Sequence, residues 1–392
     1  MKKSVFAAVL LSLLVQPPLS AQKKAKLEWS VTPSVIFDNR EYDLTGLDES
    51  RTLFGIRVAT MAGVGITDKS ARSHHSVLGG VDPLYEFGGG WTLQPILYYR
   101  LTSRRSNCMF KIAAGIFPFS ELEASYSDAF RSSYERFTDD TVEGLHFGWK
   151  GDTFQYELGV DWSGKIGSEN PSRREEFRIY SGGGQLLVHK VLKLGYSAML
   201  HHYSTNLDAT GNNVVDDILL NPYIEARLSC FVPLQSLKAR LGYIQAFERD
   251  RAAGGDLLCP GKGEFVLEAR KWNVGVENSL YFGGDLQPLY DSPAPEGGIY
   301  GGNLYKGDPF FRNADGREFG VYDRLGIYWN PSIARGLDFC VRVNFHFNGG
   351  FAGHQELISL CYRFPSISTP PAPQGRKAAG ACRGSRTARG CR

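Results

Sequence analysis

Along most of this chain apolar and polar residues alternate. Phe154, Tyr156, Leu158, Val160 and Trp162 are interleaved with Gln155, Glu157, Gly159 and Asp161. Near the end Leu337, Phe339, Val341, Val343, Phe345 and Phe347 alternate with Asp338, Cys340, Arg342, Asn344, His346 and Asn348. Side chains of a strand point in turn to its two faces, so each run has one oily and one wet face. Such segments are read at about 27–37, 52–63, 73–82, 91–102, 108–117, 142–150, 153–163, 176–188, 191–204, 216–230, 236–248, 319–330, 337–348 and 353–364. The stretch 263–283 is too long for one tilted strand of roughly 9–11 residues and divides at Lys271-Trp272. The total is sixteen, an even number, as a bacterial single-chain barrel requires. The fold expected is all-β: a transmembrane antiparallel β-barrel of about 16 strands (range 14–18).

The connections fall into two classes. One alternate set is mostly short: Gly151-Asp152, His189-Lys190, Val232–Gln235, Lys271-Trp272, Pro331–Arg335. The other holds the long ones, 39–51, 118–141, 164–175, 205–215, 249–262 and 284–318. Short periplasmic turns and long extracellular loops are the asymmetry of such barrels. Pro95 and Pro222 each remove a ladder hydrogen bond inside a strand, and Asp323 falls on a lipid-facing position.

Composition and charge sharpen the picture. Residues 1–21 combine Lys2 and Lys3, an apolar core from Val5 to Val15 and a small-residue end at Ser20-Ala21, which reads as a signal peptide cleaved before Gln22. No segment has the roughly 18 uncharged apolar residues of a membrane-spanning helix. Gly is abundant (45 of 392) and aromatics reach 12%, as suits barrel strands. The formal charge of +3 misleads: two positive charges sit in the leader and six after Phe364, with no carboxylate in either, which leaves −5 for residues 22–364. That is no footprint for nucleic acid. Residues 365–392, opening Pro-Ser-Ile-Ser-Thr-Pro-Pro-Ala-Pro, lack both alternation and apolar surface and read as a disordered basic tail. The division is therefore a signal peptide at 1–21, a barrel at 22–364 and a tail at 365–392.

In this register Arg57, Glu157, Asp161, Arg178, Glu225, Arg227, Lys238, Arg240 and Arg342 point inward, with Glu268, Arg270, Glu277 and Arg324. Mixed charge suits a wet lumen and not a packed core, and sixteen strands enclose room for one. Taken singly, each of these residues can equally be a solvated charge paired with a neighbour. In the loop 118–141, Tyr126, Phe130, Tyr134 and Phe137 recur at three- and four-residue spacing, so a short amphipathic helix is expected. The loop 284–318 carries Tyr290, Tyr300, Tyr305, Phe310 and Phe311, which suit either a glycan or partner surface or packing over the barrel mouth. Seven Cys without close pairs or His/Cys ligand spacing give no metal site, and no cofactor is expected. If the last turn spans Asn348 to Gly353, Cys340 and Cys361 face each other inward, within disulfide reach in an oxidising compartment.

The closing residues Ile358, Leu360, Tyr362 and Phe364 resemble the last strand of Gram-negative outer-membrane β-barrels, which ends in an aromatic residue preceded by apolar residues two apart. The Ser-Ala-Gln at the leader's end is similar to Bacteroidetes signals. This resemblance implies export to the bacterial outer membrane, contact with its lipid and lipopolysaccharide, and handling by the barrel-assembly machinery through the strand ending at Phe364. In sixteen-stranded porins the third loop commonly folds inward. By that resemblance 118–141 is the constriction, carrying Glu121, Glu123, Asp128, Arg131, Glu135 and Arg136, and its net charge favours cations or neutral solutes. The function implied is porin-like passive diffusion of small hydrophilic solutes. A competing enzyme reading rests on His202-Tyr203-Ser204, which resembles the His-x-Ser pair of outer-membrane lipid A deacylases and phospholipases. Both would lie on the lipid side near the rim, with Asp216 or Glu225 to orient the imidazole.

Overall fold

The computed structural model describes residues 25–42, 50–68, 70–164, 174–188, 191–205, 214–251, 254–294, 298–313 and 316–364; the expected signal peptide (1–21) and tail (365–392) lie outside them. Sixteen strands close into one antiparallel barrel, each bonded to its sequence neighbours and the last to the first. They begin with β1 (Lys26–Tyr42), β2 (Arg51–Thr67), β3 (Ser73–Glu86), β4 (Gly90–Arg105), β5 (Cys108–Pro118), β6 (Thr141–Gly151), β7 (Phe154–Gly164) and β8 (Arg174–Leu187). The second half is β9 (Leu192–Thr205), β10 (Val214–Arg227), β11 (Ser236–Asp250), β12 (Gly261–Lys271), β13 (Val274–Gly283), β14 (Gly320–Trp329), β15 (Leu337–Asn348) and β16 (Phe351–Tyr362). The fold class and the count of sixteen are as expected. Several strands outrun the alternation. β1 continues to Tyr42 because Asn39 and Glu41 extend its outer face beyond the apolar zone, where side-chain polarity no longer marks a strand.

The divided stretch 263–283 turns at Trp272-Asn273, whose positive φ values of 50° and 69° fit the two-residue turn that joins twisted antiparallel strands. Closure runs from Ser34↔Cys361 to Tyr42↔Gly353, so neither end of the sheet is left as an edge. The outer face is an apolar belt that includes Leu27, Trp91, Leu97, Leu145, Leu241 and Ile327, all exposed. Polar outward groups gather toward the long-loop end. Asn39 Nδ2 donates to Glu356 Oε2 at 2.8 Å, and Asp216 pairs with Arg251 at 2.9 Å. Asp323 does face outward, where Asn278 Nδ2 caps it at 2.7 Å.

The last turn corrects the sequence reading. It is a tight Gly349-Gly350 connection with Phe347 opposite Phe351, and Gly349 takes a positive φ of 74° that a branched residue would resist. The ladder is thereby shifted by two residues. Cys340 lies opposite Ser359, Cys361 lies opposite Asp338, and Cys361 is a free thiol, so the two do not form the disulfide expected between them.

Two loops fold into the lumen, 119–140 and, in its described parts, 284–294 with 298–313. Their aromatic residues Phe130, Phe310 and Phe311 join wall residues Phe117, Tyr180, Tyr281 and Tyr322 in one buried cluster.

An apolar exterior makes a direct prediction. Leu241→Arg puts a charge on the belt, and reversible folding into lipid vesicles should show a loss of about 2–4 kcal/mol. An unchanged stability would mean that this face does not contact hydrocarbon.

Candidate functional site

The third connection at the long-loop end of the barrel, residues 119–140, crosses the lumen and is bonded to it on nearly every side. The loop leaves β5 through Pro118 into a 3-10 turn at Phe119–Glu121, and its one α-helix is α1 (Ser133–Thr138), capped by Ser132 Oγ accepting from the Glu135 amide at 3.2 Å. The longer amphipathic helix expected from the aromatic spacing does not form. Residues Asp128–Phe130 make a turn instead, and Tyr126 packs on Phe119 and Tyr180.

Glu121 is the first anchor. Lys111 Nζ lies 2.6 Å away, Arg100 Nη1 3.3 Å and the Tyr98 hydroxyl 3.0 Å. Burial pushes this carboxyl upward, but Lys111 and Arg100 outweigh it and hold it below its ordinary range. The second anchor is Glu157 on β7. Its carboxylate accepts from the amides of Glu123 (2.6 Å) and Ala124 (2.9 Å) and from the Tyr126 hydroxyl (2.8 Å). The third is Arg178 on β8, shared between Glu135 of the loop and Asp161 of the wall. Arg131 is buried and stacks over Phe119 at 3.9 Å.

The far wall supplies the rest. Asp128 accepts from Arg136 on its own loop and from Arg324 on β14, each at 2.7 Å. Ser133 Oγ accepts from Arg40 on β1 at 2.9 Å, and Ser125 Oγ accepts from Arg240 on β11 at 3.3 Å. Burial again works against the Asp128 charge, and Arg136 with Arg324 holds that carboxyl well below the usual range. Asp308, from the other inward loop, is pushed up to about 6 by burial despite Arg324 and Arg40.

The residues expected inside all occupy inward positions. Arg57 pairs with Asp82 (2.9 Å), and Arg342 pairs with Glu277 (2.8 Å), which Arg324 also reaches (3.3 Å). Glu225 joins Arg227 (3.0 Å) to Arg240 (3.4 Å), and Lys238 pairs with Glu268 (2.7 Å). Arg227 is the most open of these, close to the short-turn end of β10. Of the expected loop residues, Glu123 reaches back to Lys150 (2.8 Å), and the others take the roles above. Sequence reading missed Arg40, Arg100 and Lys111. Arg40 continues the inward parity of β1 beyond the point where the apolar alternation ends, and that parity was the available signal.

The loop divides the interior unequally. Toward β5–β7 it leaves a space of about 340 Å³ beside Lys111, His146 and Glu157. Toward β10–β16 it leaves a space open to solvent, about 980 Å³ with that solvent included, bounded by Ser125–Asp128 and Arg136 on the loop and by charged wall residues opposite.

The second inward loop packs on the first. The Ser132 amide donates to the Lys306 carbonyl at 2.7 Å, and the Asp308 amide donates to the Asp128 carbonyl at 2.9 Å. A side chain on Gly307 would collide with the Ala129 backbone. Its rings turn inward. The Tyr300 hydroxyl donates to Asp250 (2.8 Å), the Tyr305 hydroxyl donates to Glu248 (2.5 Å), and Phe310 and Phe311 are buried. Tyr290 is half-buried against Tyr305 and under Arg312. The exposed aromatic platform that a glycan would need is therefore not built by these residues.

On the outer rim, His202 Nδ1 lies 2.6 Å from Asp216 and the ring stacks on Phe177 at 4.8 Å. This pairing was one of the two considered from sequence; Glu225 lies inside. No hydrogen bond joins His202 to Ser204 among the described residues, and Ser204 is buried. The base–nucleophile contact of a hydrolase is thus not assembled.

No protein-family model matches the sequence, and no curated protein does. Among solved structures, the barrel is similar to a loop L8 deletion mutant of OmpT, an outer membrane protein of Vibrio cholerae, with a TM-score of 0.51 at 10% identity over 87% of this chain and 99% of that one. It is likewise similar to OccK3 (OpdO) of Pseudomonas aeruginosa, with a TM-score of 0.50 at 11% identity over 86% and 96% of the two chains. At these identities the likeness is one of fold.

The Asp128 clamp has a defined pH window. A folded carboxyl held below its unfolded value of about 3.9 contributes fully above that pH, and the contribution drains away as pH falls toward the folded value. The melting-temperature gap between wild type and Arg136→Met, which removes the other partner of Asp128, should stay constant from about pH 8 to about pH 5 and shrink below about pH 4. A gap already gone near pH 6 contradicts the clamp.

Proposed function

We propose that this protein is an outer-membrane channel for passive diffusion of small hydrophilic solutes, with its passage between residues 119–140 and the wall formed by β10–β16. The observation that carries the reading is a closed barrel, oily outside, whose charged lumen is crossed by a pinned loop that still leaves a solvent-open, charge-lined space on one side. The outer-membrane proteins of similar fold support the location, as does the signal-like leader.

Selectivity in this reading follows from the lining. Asp128, Glu225, Glu264, Glu268, Glu277 and Asp308 face Arg136, Lys238, Arg240, Arg324 and Arg342, so acid and base nearly balance. Most of these charges are already satisfied by one another. A passage of this kind exerts a small field on a monovalent ion and suits neutral or dipolar solutes that trade hydrogen bonds with both signs.

Purified protein in a planar bilayer should give discrete conductance steps with weak ion selectivity. Replacing 122–138 by a short Gly-Ser linker should raise the step several-fold. Steps of unchanged size would remove the loop as the constriction, and repeated absence of current from both proteins would remove the channel.

A further inference from the structure

Two carboxylates beneath the second inward loop stand apart from every ion pair described above. Asp217 on β10 and Glu248 on β11 are directly opposed in the ladder, both inward, with exposures of 1% and 0%. Glu248 Oε1 accepts the Tyr305 hydroxyl at 2.5 Å, but Glu248 Oε2 and Asp217 Oδ1 are buried without any hydrogen-bond partner. Among the described residues neither group is in an ion pair. The nearby basic groups are engaged elsewhere. His201, opposite Asp217, lies between the Leu304 carbonyl (2.7 Å) and Glu176 (3.0 Å), and Lys262 donates to Asn313 (2.5 Å). Asp250 and Asp285 add further negative charge to the neighbourhood.

Like charges directly across a ladder repel, and a buried carboxylate without a counter-charge is strongly disfavoured. Two buried acceptor oxygens thus stand on directly opposed residues with no donor among the described residues. We propose that Asp217 and Glu248 bind a divalent cation of the calcium type, which tethers residues 298–313 of the strap to the barrel wall. Such a hard ion takes carboxylate oxygens first and completes its shell with carbonyl oxygens and water, so two carboxylates suffice to anchor it. Tyr305, bonded to Glu248, ties occupancy of the site to the position of the strap. The proposal is independent of the diffusion reading, since a cation here stabilises the strap whether or not solute passes.

Terbium tests it, because tyrosine sensitises its emission and Tyr300 and Tyr305 lie on this side of the barrel. Full-length barrel in detergent free of lipopolysaccharide should show saturable terbium emission near one equivalent, displaced by calcium and not by sodium. Asp217→Asn/Glu248→Gln should lower the affinity at least tenfold, while Glu277→Gln, which alters an arginine-paired lumen carboxylate, should leave it unchanged. Calcium should raise the melting temperature of wild type and not of the double variant. Emission that is absent from wild type, or equal in wild type and the double variant, overturns the site and leaves a shared proton as the means by which this pair is kept neutral.

Discussion

A sheet that shows an apolar face to its surroundings keeps its backbone hydrogen bonds dry only by closing on itself, and the β1–β16 ladder does this. Everything else in the molecule follows from that closure. Sixteen strands enclose more volume than wall side chains can fill, so the interior must take in water, chain or both. Here it takes in chain, and chain inside a barrel brings backbone amides and carbonyls that need partners. The charged positions of the wall supply them. Glu157 caps two loop amides, Lys111 Nζ donates to the Glu121 carbonyl, and Gln94 Nε2 reaches the Thr138 carbonyl.

This arrangement explains why the lumenal charges come in pairs. An ion pair between a long side chain of the wall and a loop carboxylate fixes a segment that has little secondary structure of its own. The six residues of α1 would not be stable alone, and Arg178 with Arg40 hold the helix at both faces. The two inward loops then support each other through the backbone contact at Gly307, where the lack of a side chain lets them approach. Removing one pin leaves a buried charge uncompensated, which is the more damaging half of breaking such a pair.

The architecture was legible because strand alternation is a local signal imposed by two different solvents. The strand count, the division at 263–283 and the asymmetry of the connections all came from it. What it could not provide was any register decided by a turn. Gly349-Gly350 can close as two residues or as part of a longer loop, and that choice moved Cys361 from opposite Cys340 to opposite Asp338. The candidate site was half visible: parity placed Glu157, Arg178 and Arg240 inside, but each also holds a loop residue brought in by folding. Arg324 bonds to a residue 196 positions away. Asp217 and Glu248 lie where the apolar pattern gives out, so nothing local marked them as facing pairs. The aromatic richness of 284–319 likewise could not say which way its rings would turn.

The constriction depends on residues 119–140 being held inside the barrel, and hydrogen exchange reports that holding directly. In the native barrel the amides of Glu123 and Ala124, bonded to Glu157, and of Ser132, bonded to Lys306, should exchange at least about a hundredfold slower than unstructured chain. In Glu157→Ala the first two should speed up while the strands stay protected. Exchange of these three amides at the unstructured rate in wild type, with the strands still protected, would contradict the account.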